Sequence, residues 1–244
     1  MSKKKKKTST KKVASKPIQS SILSNSFWAN SRLHAIIIFA VAFLLYANTL
    51  NHGFTQDDSI VITENMYTTD GVSGIPGILS KDTFFGFFKV EGKSKLVSGG
   101  RYRPLTLVMF AIGYEMFGES PFIGHLMNVL WFGLTCLVLY WLLLRLFKFD
   151  KNPENAGMIA FCTSLLFAAH PIHTEVVANI KGRDEIIALL GSLGALFFAI
   201  KSYQEKKPIL NFLAVGIFFI AFFSKENVIT FLAIIPLTLS LIHI

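Results

Sequence analysis

The sequence predicts an all-α protein that crosses a membrane several times. Hydrophobic residues make up 52% of the 244 residues and charged residues only 16%, whereas soluble domains carry about 25% charged residues. The hydrophobic residues collect in uncharged runs, several of which approach the ~20 residues that a membrane-spanning helix needs. Together these features predict a multi-pass membrane protein.

The excess positive charge is concentrated in the first 32 residues. Residues 1–32 hold nine Lys or Arg and no acid, while the remaining 15 basic residues balance the 15 acids. A segment of this composition is predicted to be disordered and to lie on the cytoplasmic side by the positive-inside rule. We expect no nucleic-acid binding, because the basic run stops where the first apolar segment begins. The chain is thus divided into a tail, 1–32, and a membrane domain, 33–244.

Six apolar segments are predicted to form membrane helices. Only the second is comfortably long enough to span, and the shorter ones are better explained as helices packed within a larger bundle. The segments are 34–50, 122–144, 156–169, 186–200, 208–223 and 228–244.

The distribution of basic residues predicts the topology of these spans. If the tail is cytoplasmic, the connections 145–155 and 201–207 are cytoplasmic too, and each carries three basic residues. The first exported connection, 51–121, is then by far the largest. Pro104 is placed to open a helix over 105–117, which is too short to span and is predicted to lie at the membrane interface.

Adjacent carboxylates, Asp57 and Asp58, follow the first span. Neighbouring carboxylates near a membrane surface suit general-base chemistry or metal binding. A solvated loop in which one aspartate caps a helix is the alternative.

The segment Arg101-Tyr102-Arg103-Pro104 stands immediately before the predicted interfacial helix. Guanidinium groups bind phosphate oxygens in a bidentate manner, and a helix N-terminus adds partial positive charge. This pattern predicts a phosphate clamp, with contact to lipid headgroups as the alternative. Lys181, Arg183 and Lys225 are also on the predicted exported face, which favours an anionic partner there.

The stretch 169–185, AHPIHTEVVANIKGRDE, is the densest group of polar residues between two apolar runs. Such clusters at a membrane boundary indicate a functional site. The spacing of His170, His173 and Glu175 suits a metal or a proton relay, with hydrogen-bonded interfacial histidines as the alternative. A divalent metal is therefore the one candidate cofactor.

The ordered set of motifs resembles one known family. The motifs are FTQDDSIVITEN, YRPLT, HLMNVLWFGLTCLVLYWLL, FAAHPIHTEVVANIKGRDE and FFSKEN. This order is similar to the N-terminal half of the transmembrane, tetratricopeptide-repeat-containing O-mannosyltransferases and their bacterial relatives. These are multi-pass glycosyltransferases with the GT-C fold, a helical bundle, and the resemblance covers residues 34–235.

The resemblance implies a polyprenyl- or dolichyl-phosphate sugar donor, typically of mannose, and a protein Ser or Thr acceptor reached from the exported face. The acid of the first exported loop that acts as catalytic base falls on Asp57 or Asp58. Family members often read Gly-Arg-Ala-Asp in the later motif, so its acid matches Asp184 or Glu185. The other motif positions singled out as site candidates are Tyr102 and Glu226.

The predicted function is glycosyl transfer on the exported face of a lipid bilayer. Transfer needs a base for the acceptor proton and cations for the departing lipid phosphate. The candidate cations are Arg103, Arg183, Arg101 and Lys225. A transporter or flippase-like module that binds a lipid phosphate without chemistry is the runner-up, and an inactive scaffold is the third alternative. The large exported loop with its acid pair favours the enzyme, since transporters usually bind at the membrane midplane.

Two expectations concern the context of the chain. Family members carry a longer membrane domain, so we expect a fragment, a truncated gene product or half of a split enzyme. A bacterial inner membrane is favoured over the endoplasmic reticulum, although the sequence carries no address signal.

Overall fold

The computed structural model describes residues 27, 30–89, 101–147 and 153–243. Within these residues the secondary structure is helical and contains no strand, so the predicted all-α class is confirmed. Most of the predicted basic tail lies outside the described residues.

Twelve α-helices follow one another in the described part of the chain, several of them joined by single turns of 3-10 helix. They are α1 (Ser31–Tyr46), α2 (Gln56–Asp58), α3 (Met66–Thr69), α4 (Ile75–Ser80), α5 (Phe85–Phe88), α6 (Pro104–Phe117), α7 (Pro121–Leu146), α8 (Pro153–Ala169), α9 (Thr174–Ala178), α10 (Arg183–Glu205), α11 (Ile209–Phe222) and α12 (Phe231–His243).

The ends of the long helices follow from the local sequence. The Asn30 side chain accepts a hydrogen bond from the Leu33 backbone N–H and caps α1. Ser120 caps α7 in the same way, and Pro121 occupies its first turn, where the missing N–H costs nothing. At the C-terminal end of α10, Lys206 adopts a left-handed backbone conformation that ends the helix.

Helices occupy all six segments predicted to lie in the membrane. Three are long and apolar enough to cross it, Ser31–Asn51, Pro121–Leu146 and Ile180–Glu205. The pair Asn155–Ala169 and Pro171–Ala178 gives a fourth candidate if it is one span bent by 49°. The remaining two, Ile209–Phe222 and Glu226–Leu241, are shorter apolar helices. Length and composition therefore support three or four spans among the residues described, and six remains a prediction.

The long first connection folds into a packed unit. The predicted helix 105–117 is present and begins one residue earlier, at Pro104. It packs on α3 and α4, and Leu107 and Phe110 are buried in one cluster with Val61 and Ile62. Ile180, from the connection between α9 and α10, lies in the same cluster. This shared core places the two predicted exported connections side by side.

The bundle beneath this unit has two parts. α1, α7 and α8 share a core that contains Ile38, Val129 and Tyr140. α10 packs against α7 on one side and α11 on the other. The N-terminus of α10 therefore points into the region where the connections meet, and this is where the charged residues gather.

Candidate active site

Four segments that are distant in sequence meet beside the N-terminus of α10. They are α2 with the preceding Thr55, the residues that precede α6, the 3-10 turn Ile180–Gly182 and the turn after α11. Ion pairs between charged side chains and a hydrogen bond from the Lys181 backbone N–H to Asp58 join them. The predicted motifs of the first, third and fifth connections are thus brought to one place.

Asp58 is fully buried and joins two of these segments. Its Oδ2 accepts hydrogen bonds from the Thr55 backbone N–H at 2.8 Å and the Thr55 hydroxyl at 3.0 Å. Its Oδ1 accepts one from the Lys181 backbone N–H at 2.8 Å. Both carboxylate oxygens are therefore occupied, and Asp58 caps α2 while it fixes the backbone of the later connection.

Asp57 lies next to Asp58 in sequence but in a different environment. Its side chain is 55% exposed, and its Oδ2 lies 4.0 Å from the Lys181 ammonium nitrogen. It lines a cavity of about 120 Å³. The polar residues of this cavity are Asp57, Thr83, Arg101, Arg103, Thr106, Lys181 and Asp184. The cavity thus combines a solvent-facing carboxylate with several cations.

Arg103 is the buried junction of the site. Its Nη1 donates to Asp184 Oδ2 at 2.7 Å, and its Nε and Nη2 donate to the two carboxylate oxygens of Glu226 at 2.9 and 2.6 Å. Its backbone N–H donates to the Thr83 hydroxyl. Arg103 therefore ties the start of α6 to the start of α10 and to the turn after α11.

The charges of this junction favour its ionised forms. Burial alone acts to lower the pKa of Arg103, but the hydrogen bond to Glu226 and the charges of Asp184 and Glu226 raise it overall. The hydrogen bond from Arg103 lowers the pKa of Glu226 to about 2. The pair is therefore ionised across the physiological pH range.

Arg183, predicted to bind phosphate together with Arg103, lies elsewhere. Its Nε donates to Asn128 Oδ1 at 2.9 Å, its Nη2 donates to the Gly124 carbonyl at 3.0 Å, and its guanidinium lies 4.5 Å from the centre of the Phe110 ring. It lines a separate, mostly apolar cavity of about 220 Å³. Phe110 lines both cavities, and its ring contacts the Arg183 guanidinium. The structure does not bring Arg183 to the cavity of Arg103.

The two acids after Arg183 have different partners. Asp184 is buried and faces Arg103. Glu185 forms an ion pair with Lys225 and also accepts a hydrogen bond from the Asn227 side chain at 3.3 Å. Burial lowers the pKa of Lys225. Of the two acids that could match the family motif, Asp184 is the one that reaches the cavity.

The two other residues of the Arg-Tyr-Arg segment, Arg101 and Tyr102, have contacts different from those of Arg103. The Arg101 guanidinium lies 5.7 Å from the centre of the Phe84 ring, at the cavity wall. Tyr102 is exposed, and its hydroxyl donates to the Leu79 carbonyl at 2.8 Å. Arg101 therefore lines the cavity, whereas Tyr102 braces α4.

The two histidines predicted as metal or proton-relay candidates have structural contacts. His170 Nδ1 accepts a hydrogen bond from the Ile172 backbone N–H, and the His173 ring packs against Phe167. Glu175 is exposed. No group of three or more His, Cys, Asp or Glu residues suited to a metal occurs in the ranges that the structure describes. His170, His173 and Glu175 are thus not assembled as a three-ligand set.

Lys181 and Asn128 also belong to the site region. Lys181 was predicted only as one of the basic residues that favour an anionic partner, and Asn128 was absent from the predicted site residues. Lys181 enters the cavity, and the Asn128 side-chain amide donates to the carbonyls of Asn179 and Ile180 while its oxygen accepts from Arg183. The position of Lys181, directly before the Gly182-Arg183 motif, could have identified it as a site residue from the sequence. Asn128 lies in the middle of an apolar helix, and its sequence context does not reveal its partners.

The fold and this cavity define an all-helical membrane protein with a mixed basic and acidic site where its connections meet. The chain is similar to protein O-mannosyl-transferases of animals. It is 35% identical over 156 residues to the human protein O-mannosyl-transferase TMTC1, a match that covers 64% of this chain and 16% of that protein. It is 37% identical over 147 residues to Tmtc1 of Drosophila melanogaster, covering 60% and 16%. It is 32% identical over 201 residues to mouse TMTC3, covering 81% and 20%.

These relatives carry the name of the family that the motifs indicated, so the predicted resemblance to that family is confirmed. The chain spans only 16% to 20% of the length of these three relatives. No family model and no solved structure matches the chain.

Proposed function

We propose that this chain is part of a membrane glycosyltransferase that moves a sugar, typically mannose, from a polyprenyl or dolichyl phosphate to a protein hydroxyl group. The names of the relatives support the transfer of mannose to protein. The observation that carries the proposal is the solvent-facing Asp57 carboxylate in a cavity that Arg101, Arg103 and Lys181 also line. A base and phosphate-binding cations are the groups that this reaction requires.

The reaction that fits these groups is a single displacement. The acceptor hydroxyl oxygen attacks C1 of the sugar, and the bond from C1 to the phosphate oxygen breaks. The electron pair of that bond stays on the leaving phosphate, which changes from a monoanionic diester to a dianionic monoester. The hydroxyl proton passes to the carboxylate that serves as base. Cations in the cavity stabilise the charge that develops on the leaving phosphate.

Asp57 fits the role of base better than Asp58. A general base must come within hydrogen-bond distance of the proton that it accepts. Both oxygens of Asp58 already accept hydrogen bonds from Thr55 and Lys181, and the residue is fully buried. Asp57 is half exposed and faces the cavity. We therefore assign the proton transfer to Asp57 and the positioning of the loops to Asp58.

The proposal is tested by replacing each acid in the full protein that contains this chain, studied in membranes with polyprenyl-phosphate mannose as donor. Asp57→Asn removes the base and is expected to lower the rate of transfer by about 10²- to 10⁴-fold while the protein unfolds at the same temperature. Asp58→Asn keeps one acceptor oxygen, so either the Thr55 N–H or the Lys181 N–H loses its acceptor, and the unfolding temperature is expected to fall.

Glu64→Gln is the matched control, because Glu64 is an exposed acid of the same connection. It is expected to leave both transfer and unfolding unchanged. Normal transfer by Asp57→Asn would contradict the assignment of the base. Wild-type protein that moves the donor across the membrane without transferring sugar would favour the transporter instead.

A further inference from the structure

The cations near the candidate site differ in how firmly they are held. Three nitrogen atoms of Arg103 each donate to a carboxylate oxygen, and Lys225 is paired with Glu185. Arg183 is held by Asn128 and lines the other cavity. These three groups stabilise the protein through fixed contacts, and a substrate phosphate would have to compete with those contacts.

Lys181 is held differently. Its backbone is fixed, because its N–H donates to Asp58 Oδ1 at 2.8 Å and to Asn179 Oδ1 at 3.1 Å. Its ammonium nitrogen lies 4.0 Å from Asp57 Oδ2, beyond hydrogen-bond distance, and its side chain is 29% exposed. Ion pairs of this kind between solvent-accessible groups contribute little free energy and open easily. The backbone of Lys181 is therefore fixed, while its side chain is free to change partners.

We propose that Lys181 is a catalytic residue that leaves Asp57 when the donor binds and contacts the donor phosphate. This inference rests on the proposed function. When the Lys181 ammonium group exchanges Asp57 for the donor phosphate, it brings a cation to the phosphate. The same movement frees the Asp57 carboxylate to accept the acceptor proton. The compact ammonium group of lysine, with three donors on a flexible stem, suits such a move better than a fixed guanidinium.

The charge change of the reaction makes this contact stronger as the bond breaks. The phosphate gains one negative charge between donor and product, so an ammonium group beside it binds the product phosphate more tightly than the donor. A contact that strengthens toward the transition state increases the rate of the chemical step as well as donor affinity. Lys181 should thus affect kcat as well as KM.

The test compares the binding of farnesyl phosphate and farnesol to the full protein that contains this chain. Farnesol has the same hydrocarbon chain without the phosphate, so the ratio of the two affinities reports the phosphate contact alone. Lys181→Gln is expected to weaken farnesyl phosphate binding about ten- to a hundredfold and to leave farnesol binding unchanged. Lys181→Arg keeps the charge and is expected to retain most of the preference for the phosphate.

Lys207→Gln is the matched control, because Lys207 forms an exposed ion pair with Glu205 at the other end of α10. It should keep the wild-type preference. If Lys181→Gln also keeps that preference, or weakens farnesol binding equally, the catalytic role of Lys181 is overturned. If the wild-type protein itself binds farnesyl phosphate no better than farnesol, the proposed function is overturned as well.

Discussion

Arg103 shows how a single buried side chain organises this protein. Its guanidinium is joined to Asp184 and Glu226, which come from two different segments. The side chains of Arg103 and Asp184 are only 8% and 7% exposed, whereas that of Glu226 is 64% exposed. Removing one partner of a buried pair leaves a buried charge without compensation, while an exposed partner is replaced by water. The two carboxylates therefore make unequal contributions to stability.

This inequality gives a prediction for two matched substitutions. Asp184→Asn is expected to lower the free energy of unfolding by about 1.5–3 kcal/mol, because Arg103 loses its buried charge partner and keeps only the exposed Glu226. Glu226→Gln is expected to lower it by about 1 kcal/mol or less, because solvent screens that pair. Unfolding of the purified protein in detergent, followed by heat or denaturant, measures both. Equal losses would show that Arg103 does not depend on Asp184 in the way its burial indicates.

At the scale of elements, the turn Ile180–Gly182 decides where the site forms. It leads directly into α10, and its Lys181 N–H donates a hydrogen bond to Asp58 of the first connection. Gly182 lies so close to the chain of α9 that an added Cβ would stand 2.2 Å from the Val176 carbonyl oxygen. A backbone oxygen cannot swing aside as a side chain does. Glycine is therefore required here for the close approach of α9 to the start of α10.

Gly182→Ala is expected to destabilise the protein by about 1–3 kcal/mol, the usual range for overpacking. The control is Gly113→Ala in α6, where an added Cβ meets nothing within 4 Å. That change is expected to be neutral or to stabilise the helix by about 0.5–1 kcal/mol. Thermal unfolding of the two variants measures the difference. A Gly182→Ala variant as stable as wild type would mean that the turn shifts freely and does not fix Lys181.

At the scale of the whole molecule, the candidate site and the basic connection after α10 lie at opposite ends of one long helix. α10 runs from Arg183, beside the charged cavity, to Glu205, beside Lys206 and Lys207. Basic residues collect on the cytoplasmic side of membrane proteins. We therefore propose that the cavity faces the exported side and that the N-terminus is cytoplasmic.

Cysteine labelling tests this orientation. Ser80 and Lys207 are exposed at the two ends of the molecule, and each is replaced by cysteine in a Cys162→Ser background, which removes the exposed native thiol. A membrane-impermeant reagent added from outside the cytoplasm is expected to label position 80 and to leave position 207 unlabelled. The reverse pattern would place Asp57 in the cytoplasm and contradict the proposed exported site.

The sequence by itself determined the class of the fold and the loops that carry the site. Apolar runs and helix-capping residues are local properties, so the helices at 34–50, 122–144 and 105–117 could be predicted from composition, Pro104 and the length of each run. The basic and acidic motifs lie in the connections between those runs, and their order was enough to indicate the family. The sequence did not separate the roles of neighbouring charged residues.

Only the tertiary structure decided which of those residues work together. Asp57 and Asp58 are adjacent in the chain, yet one faces a cavity and the other is buried against Thr55 and Lys181. Arg103 and Arg183 were predicted as a pair, but they line different cavities and donate to different partners. These outcomes depend on hydrogen bonds between residues that are 55 to 123 positions apart. Because the strength of such bonds depends on distance and burial, which packing sets, the local pattern of residue types cannot specify them.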